Sequence, residues 1–342
     1  MSFLKFDRTL SKRILTLAYP VTIAMLTQTA INLVDTIMVG RLPAEYSIAG
    51  QGAIMISLIL LWAVGGLISS MGVGTQAVSA RRFGEGKAEE AGAVLNNAAF
   101  VAGIVSLIAT VAVLLTLPYF FPYLHPSDAV VRFGVEYSTY RLLGVFSMVL
   151  TIVYKGFFDG IGETKVHMKA AIAMNVVNVV LNYCLIFGIG PFPQLYVAGA
   201  GIASLIATFI GLAIMLFYSS KKTMRSRFGL YKRGTLDRSV SWGVVKVGIP
   251  GGLATVFLMA GFAMFTVIVG WLDEDTVNAA IHALPAYASM NVQMFALDSS
   301  AVWTPEVHRL VVDANPPVLT AATKLIMDIM MACAMTCMAF GQ

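Results

Sequence analysis

The sequence predicts an all-α integral membrane protein of two parallel six-helix lobes, the second incomplete in this chain. Three observations carry that expectation: an excess of apolar residues over charge, apolar runs of membrane-spanning length, and an internal repeat. Of 342 residues, 58% are hydrophobic and only 12% charged, with a mean hydropathy of +0.80. A soluble domain carries roughly 25% charge, so the surplus apolar surface must face lipid. About 20 apolar residues cross the hydrocarbon as a helix.

Such runs recur in order along the chain. The first, near 14–40, follows the basic Lys5, Arg8, Lys12 and Arg13 and contains Pro20, either a bending point or a static kink. The second, near 48–79, is followed by Arg81, Arg82 and Lys87. A third lies near 91–117. The fourth, near 136–158, precedes Lys165 and Lys169. The fifth and sixth, near 168–190 and 197–219, lead into a basic segment with Lys221, Lys222, Arg225, Arg227, Lys232, Arg233 and Arg238. A seventh near 243–271 ends at the acidic turn 273–275, and an eighth covers about 277–297. Because Lys and Arg stay on the cytoplasmic side, the alternation puts the N-terminus and 220–240 inside and 273–275 outside.

Sliding the chain by 230 residues aligns Pro20 with Pro250, Thr36 with Thr266, Val39 with Val269 and Gly40 with Gly270 without a gap. Six helices separate the copies, so both run from inside to outside. Parallel repeats of this kind are a transporter arrangement, with the site between or inside the lobes. The organisation expected is a first lobe over 1–219, a cytoplasmic linker over 220–240 and a partial second lobe of about three helices over 241–342.

Asp35 is the one carboxylate well inside an apolar run of the first six helices. A charge there costs about 3 kcal/mol on insertion scales and faces an interior cavity with a partner, unless it sits at the outer interface. Gln28, Asn32 and Asp35 fall at i, i+4 and i+7, a polar stripe on one helical face. The fifth run supplies Asn175, Asn178 and Asn182 at i, i+3 and i+7. Their carbonyls suit a hard cation such as Na⁺, and their amides can donate to a carboxylate; interhelical hydrogen bonding is the alternative use. Tyr154, with Tyr19, Phe157 and Phe158, is an aromatic candidate for packing an organic cation. Lys155 reads as an interfacial lysine or a contact for an anion.

Other chemistry is missing. GEGKA at 84–88 lacks the P-loop spacing, the four histidines are scattered, and no HExxH or GxSxG occurs. No enzyme and no resident cofactor are expected. The net charge of +5 is mostly the orientation signal, so nucleic acid is not an expected partner. Cys184, Cys333 and Cys337 are expected as inert thiols.

The segments AYP (18–20), VDTIMVG (34–40), GVGTQAVSARRFGEGKAEEA (72–91), KGFFDGIGETK (155–165) and NVVLNYCLIFG (178–188) together resemble the multidrug and toxic compound extrusion (MATE) transporters over about residues 10–295. The resemblance implies two six-helix lobes that exchange Na⁺ or H⁺ for organic, cationic compounds, in a multi-pass protein of a bacterial inner membrane. It implies a coupling carboxylate at Asp35, cation ligands at Asn178 and Asn182, and, by a looser match, Ser204. Some members carry an acid where Asn182 stands, which leaves Na⁺ and H⁺ both open. Beyond about Ala296 the resemblance stops, with one further apolar run near 318–340. The chain is then a piece of a longer protein, a disrupted frame, or a shortened protein completed by a second chain. Two other functions stand beside efflux: a lipid-linked oligosaccharide flippase, and a fragment without transport of its own. The orientation has a direct check. Of cysteines introduced at Ser226 and Asp275, only the latter should react with an impermeant maleimide in intact cells; labelling at Ser226 would reverse the topology.

Overall fold

The computed structural model describes residues 8–232 and 236–295, in which every regular element is helical and no strand occurs. In order these are α1 (Arg8–Gly40), α2 (Ala44–Leu61), a π-turn (Trp62–Gly66), α3 (Leu67–Ser69), α4 (Met71–Gly84), α5 (Ala88–Phe120), a 3₁₀ turn (Phe121–Tyr123), α6 (Asp128–Leu143), α7 (Val145–Gly160), α8 (Thr164–Phe187), α9 (Tyr196–Ser220), α10 (Lys222–Phe228) and α11 (Arg238–Phe295). Among the described residues five segments are long and apolar enough to cross a membrane: Glu45–Gly84, Ala88–Tyr123, Thr164–Phe187, Tyr196–Ser220 and Arg238–Leu272. The pair α6 and α7, bent by 45°, makes a sixth. The chain is a multi-pass helical membrane protein.

Several elements differ from the sequence expectation. The second run is not one uniform helix: it is wound as α2, the π-turn, α3 and α4, with Gly65 and Gly66 in the π-turn. The fourth run starts eight residues earlier than its apolar pattern suggested, because Asp128, Arg132 and Glu136 are helical as well. Its bend falls at Gly144, between α6 and α7. The expected turn at 273–275 is absent: α11 continues from Arg238 through Phe295, and the stretch DEDTVNAA holds neither Gly nor Pro to stop it. Pro20 is buried inside a continuous α1. The run near 318–340, with Cys333 and Cys337, lies outside the described residues.

The helices approach closely where glycine removes the side chain, as expected when lipid offers no hydrophobic drive between them. A Cβ on Gly156 of α7 would run into the carbonyl of Gly72 on α4, and one on Gly74 would meet the carbonyl of Val244 on α11. Gly248 and Gly252 bring α11 against Ser70 in the same way. The repeat is visible in burial: Thr36 and Thr266 are both buried, as are Val39 and Val269, while Phe265, at the place equivalent to Asp35, is half exposed.

The basic segment is more than a tether. α10 ends at Gly229 in the left-handed conformation (φ 60°), which turns the chain back so that Phe228 and Leu230 are buried against the first lobe. Asn96 and Asn97 on α5 hold the returning backbone. Asn96 accepts from the Tyr231 amide at 3.2 Å, and Asn97 accepts from the Asp237 amide at 2.7 Å and the Ser241 hydroxyl at 3.0 Å. Asp237 then caps α11 by accepting from the Ser239 amide at 2.7 Å; hydrogen bonding from the Ser239 side chain first, and from its amide second, holds the Asp237 carboxyl below the usual range.

The glycine contacts make a testable difference. Gly156→Ala should lower the melting temperature of the detergent-solubilised protein by the equivalent of about 1–3 kcal/mol of overpacking. Gly251→Ala, where a Cβ meets nothing within 4 Å, should leave it unchanged or raise it. Equal midpoints for the two variants would contradict the close crossing of α4 and α7.

Candidate cation and substrate site

Helices α1, α2, α6, α7, α8 and α9, with the π-turn, line a cavity of about 280 Å³. Its lining is mostly apolar, with Ile54, Leu58, Trp62, Met148, Met174 and Met215 among the residues, and its polar members come from different helices: Asp35 from α1, Arg141 from α6, Lys155 from α7, His167, Asn175 and Asn178 from α8, and Ser204 from α9. α8 packs against both α1 and α9, which lets one polar face reach a carboxylate on one side and a hydroxyl on the other.

Those contacts form a continuous chain. The Asn182 amide donates to Asp35 Oδ1. The same nitrogen is 3.1 Å from Asn178 Oδ1, and the Asn178 amide donates to Ser204 Oγ at 3.1 Å. Asn178, Asn182 and Ser204 are buried, Asn182 completely. With its nitrogen committed to Asp35 and Asn178, the buried Asn182 Oδ1 has no hydrogen-bond partner. The cluster therefore presents one carboxylate and an oxygen without a donor. These are hard oxygen donors, so the residues fit Na⁺, and the carboxylate fits a proton equally well.

The other sequence candidates distribute differently. Asn175 lines the cavity, and its amide nitrogen is buried without a partner. Tyr154 does not line it: its hydroxyl lies 3.1 Å from that of Tyr231 on the returning linker, and Tyr231 in turn meets the Ser219 hydroxyl. The expectation of a substrate role for Tyr154 is corrected, because its polar end is held by the linker. Gln28 and Asn32 lie on α1, with their side chains outside the described residues. Pro20 sits about three turns inside α1, apart from the cavity lining.

Asp35 is not alone as an intramembrane acid. Asp159, in the last turn of α7, has a side chain only 4% exposed, with Lys155 Nζ at 3.9 Å and His167 Nδ1 at 3.8 Å. The apolar run seemed to end at Phe158, which disguised Asp159 as a loop residue; packing of α8 over α7 covers it. The i, i+4 spacing of Lys155 and Asp159 in KGFFD was the available signal. Arg141 lies inside the fourth run and was not singled out there; it lines the cavity from α6.

Fold and site together define a multi-pass helical membrane protein with an internal, polar-tipped cavity of the transporter kind. The family model described as MatE matches residues 20–184. A protein of Listeria innocua described as "Probable multidrug resistance protein NorM" is 24% identical over 269 residues, covering 78% of this chain and 58% of the relative. A protein of Bacillus licheniformis with the same description is 28% identical over 288 residues, covering 82% of this chain and 61% of the relative. The chain thus spans about three fifths of the length of these curated relatives. A solved structure described as the outward-facing conformation of a multidrug resistance MATE family transporter of the MOP superfamily shares the fold, with a TM-score of 0.64 at 22% identity, covering 98% of this chain and 70% of that chain. Over residues 20–184 the chain is thus similar to the MatE family model.

Lys155 and Asp159 are coupled by proximity, and this can be measured. Asp159→Leu alone strands the Lys155 charge and should lower the melting temperature, and Lys155→Met alone strands the carboxylate with the same sign. The double variant should recover much of the loss; a double variant whose shift is the sum of the two singles would show that the groups act independently.

Proposed function

We propose that the protein extrudes organic compounds in exchange for Na⁺ or H⁺, with Asp35 as the coupling carboxylate. The observation that carries this reading is the hydrogen-bonded chain from Asp35 through Asn182 and Asn178 to Ser204, beside an apolar cavity. A carboxylate buried among apolar helices is costly in its charged form unless a cation or proton neutralises it. Asn182 and Asn178 fix the carboxylate and supply amide oxygens, and Ser204 orients Asn178 by accepting its amide hydrogen. The relatives described as multidrug resistance proteins support efflux as the direction of transport.

Exchange follows if ion and organic compound stabilise opposite conformations, or compete for Asp35 in one of them. Met148, Met174 and Met215 give the cavity an adaptable wall, suited to substrates of different shape. In this reading the N-terminus is cytoplasmic, the host membrane is a bacterial inner membrane, and a further segment or a second chain completes the second lobe. Lipid surrounds the bundle, and no cofactor takes part.

The test uses the complete transporter. Asp35→Asn keeps size and hydrogen bonding but removes the titratable charge, so cation-driven efflux of a fluorescent organic cation should collapse at normal membrane expression. Asn178→Ala should weaken cation affinity by about tenfold or less, the loss of one hydrogen bond to a charged cluster, with efflux partly recovered at higher Na⁺ or lower external pH. Parental efflux with unchanged ion dependence in the Asp35→Asn protein would refute the coupling role.

A further inference from the structure

Two lysines without a carboxylate partner meet at one aromatic ring. Lys169, in the second turn of α8, places its Nζ 5.8 Å from the centroid of the Tyr218 ring, and Lys221, the residue that closes α9, places its own 4.1 Å from the same centroid. Both residues are exposed, and neither is paired with an acid among the described residues. The ring attracts each ammonium but cannot neutralise two like charges gathered around it. Lys165, one turn before Lys169, and Lys222, next to Lys221, add two more exposed bases. The basic residues between α4 and α5 are arranged otherwise. Arg81 pairs with Glu85 and Arg82 with Glu90, both at 3.1 Å, and Lys232 of the linker pairs with Glu89 at 2.8 Å. That surface carries its own acids, whereas the ends of α8 and α9 take their counter-ion from outside the chain.

The neighbouring side chains say which anion fits. Lys165 and Lys169 begin a stripe that continues along α8 as Ile172, Val176, Val180 and Tyr183, all exposed and spaced by three or four residues on one face. On α9, Phe217 is 65% exposed, directly before Tyr218. Both helices are long and apolar enough to cross a membrane, so their exposed apolar faces meet acyl chains and the lysines stand at headgroup level. A soluble phosphate compound would use the lysines and leave the stripe idle. We propose that Lys169 and Lys221, with Lys165 and Lys222 beside them, bind the phosphate headgroup of an anionic phospholipid whose chains lie along α8 and α9. Lysine serves such a site as a point charge with rotatable donors, which suits a phosphodiester in a fluid leaflet. The headgroup bridges the start of α8 and the end of α9. Ser219, next to Tyr218, meets Tyr231 of the linker, so the lipid braces the place where the linker leaves the bundle. None of these lysines lines the cavity, and the site does not depend on the efflux reading.

The full chain, purified in a neutral detergent, is titrated with phosphatidylglycerol and with phosphatidylcholine of the same acyl chains, and bound lipid is counted by native mass spectrometry. The first phosphatidylglycerol should bind about tenfold more tightly, because the choline of the other lipid offsets its phosphate. Lys169→Gln with Lys221→Gln should abolish the preference, and Lys221→Gln alone should lose part of it. Lys169→Arg with Lys221→Arg, which keeps both charges, should retain most of it. Arg81→Gln with Arg82→Gln removes the same charge from the loop that carries its own acids and should leave the preference unchanged. An equal loss in the two glutamine pairs would mean attraction to overall charge and would overturn the site, as would equal binding of the two lipids by the parent. Displacement of bound phosphatidylglycerol by a similar concentration of glycerophosphoglycerol, its headgroup without chains, would overturn the lipid in favour of a soluble phosphodiester.

Discussion

A carboxylate inside an apolar bundle must be solvated by protein, and α1, α8 and α9 are arranged around that requirement. Water is not available to Asp35 at the cost it has outside, so neighbouring helices must bring polar atoms to it. α8 does so with Asn182, which donates to the carboxylate, and Asn178 and Ser204 extend the bonding away from it. The consequence is a polar cluster with an uncommitted buried oxygen beside a mostly apolar cavity.

That cluster is useful only if helices can hold it rigidly and still move as blocks. Glycine contacts between α4, α7 and α11 let the backbones touch, so these crossings rest on main chain rather than on adaptable side chains. The returning linker adds a second tie at the base of the lobe. Asn96 and Asn97 hold its backbone, and Tyr231 joins Tyr154 of α7 to Ser219 of α9. The segment that leads into α11 is thus seated on α5 and on two of the helices that wall the cavity, α7 and α9.

The sequence exposed the parts of this design that obey simple periodicity. Asp35 stood out because an acid in an apolar run is rare, and Asn175, Asn178 and Asn182 because their spacing marks one helical face. Features that depend on a partner were hidden. Asp159, one residue past the fourth run, is buried by α8, and Arg141, inside that run, carries no spacing that marks it as a cavity residue. Tyr154 seemed a cavity aromatic because nothing local announces a bond to Tyr231 across 77 residues. The acidic stretch at 273–275 looked like a turn because charge was read as an interface, whereas backbone propensity, with no Gly or Pro present, favours continuing the helix.

The central claim is that a cation or proton on Asp35 and the organic substrate are bound in exchange. Its most direct measurement is ion release: the complete transporter, in detergent and weakly buffered or Na⁺-loaded, is mixed with a saturating organic substrate while pH and free Na⁺ are followed with electrodes. Substrate should displace one of the two ions in an amount proportional to protein, and the Asp35→Asn protein should release none. Substrate binding by the parent with no release of either ion would contradict the account.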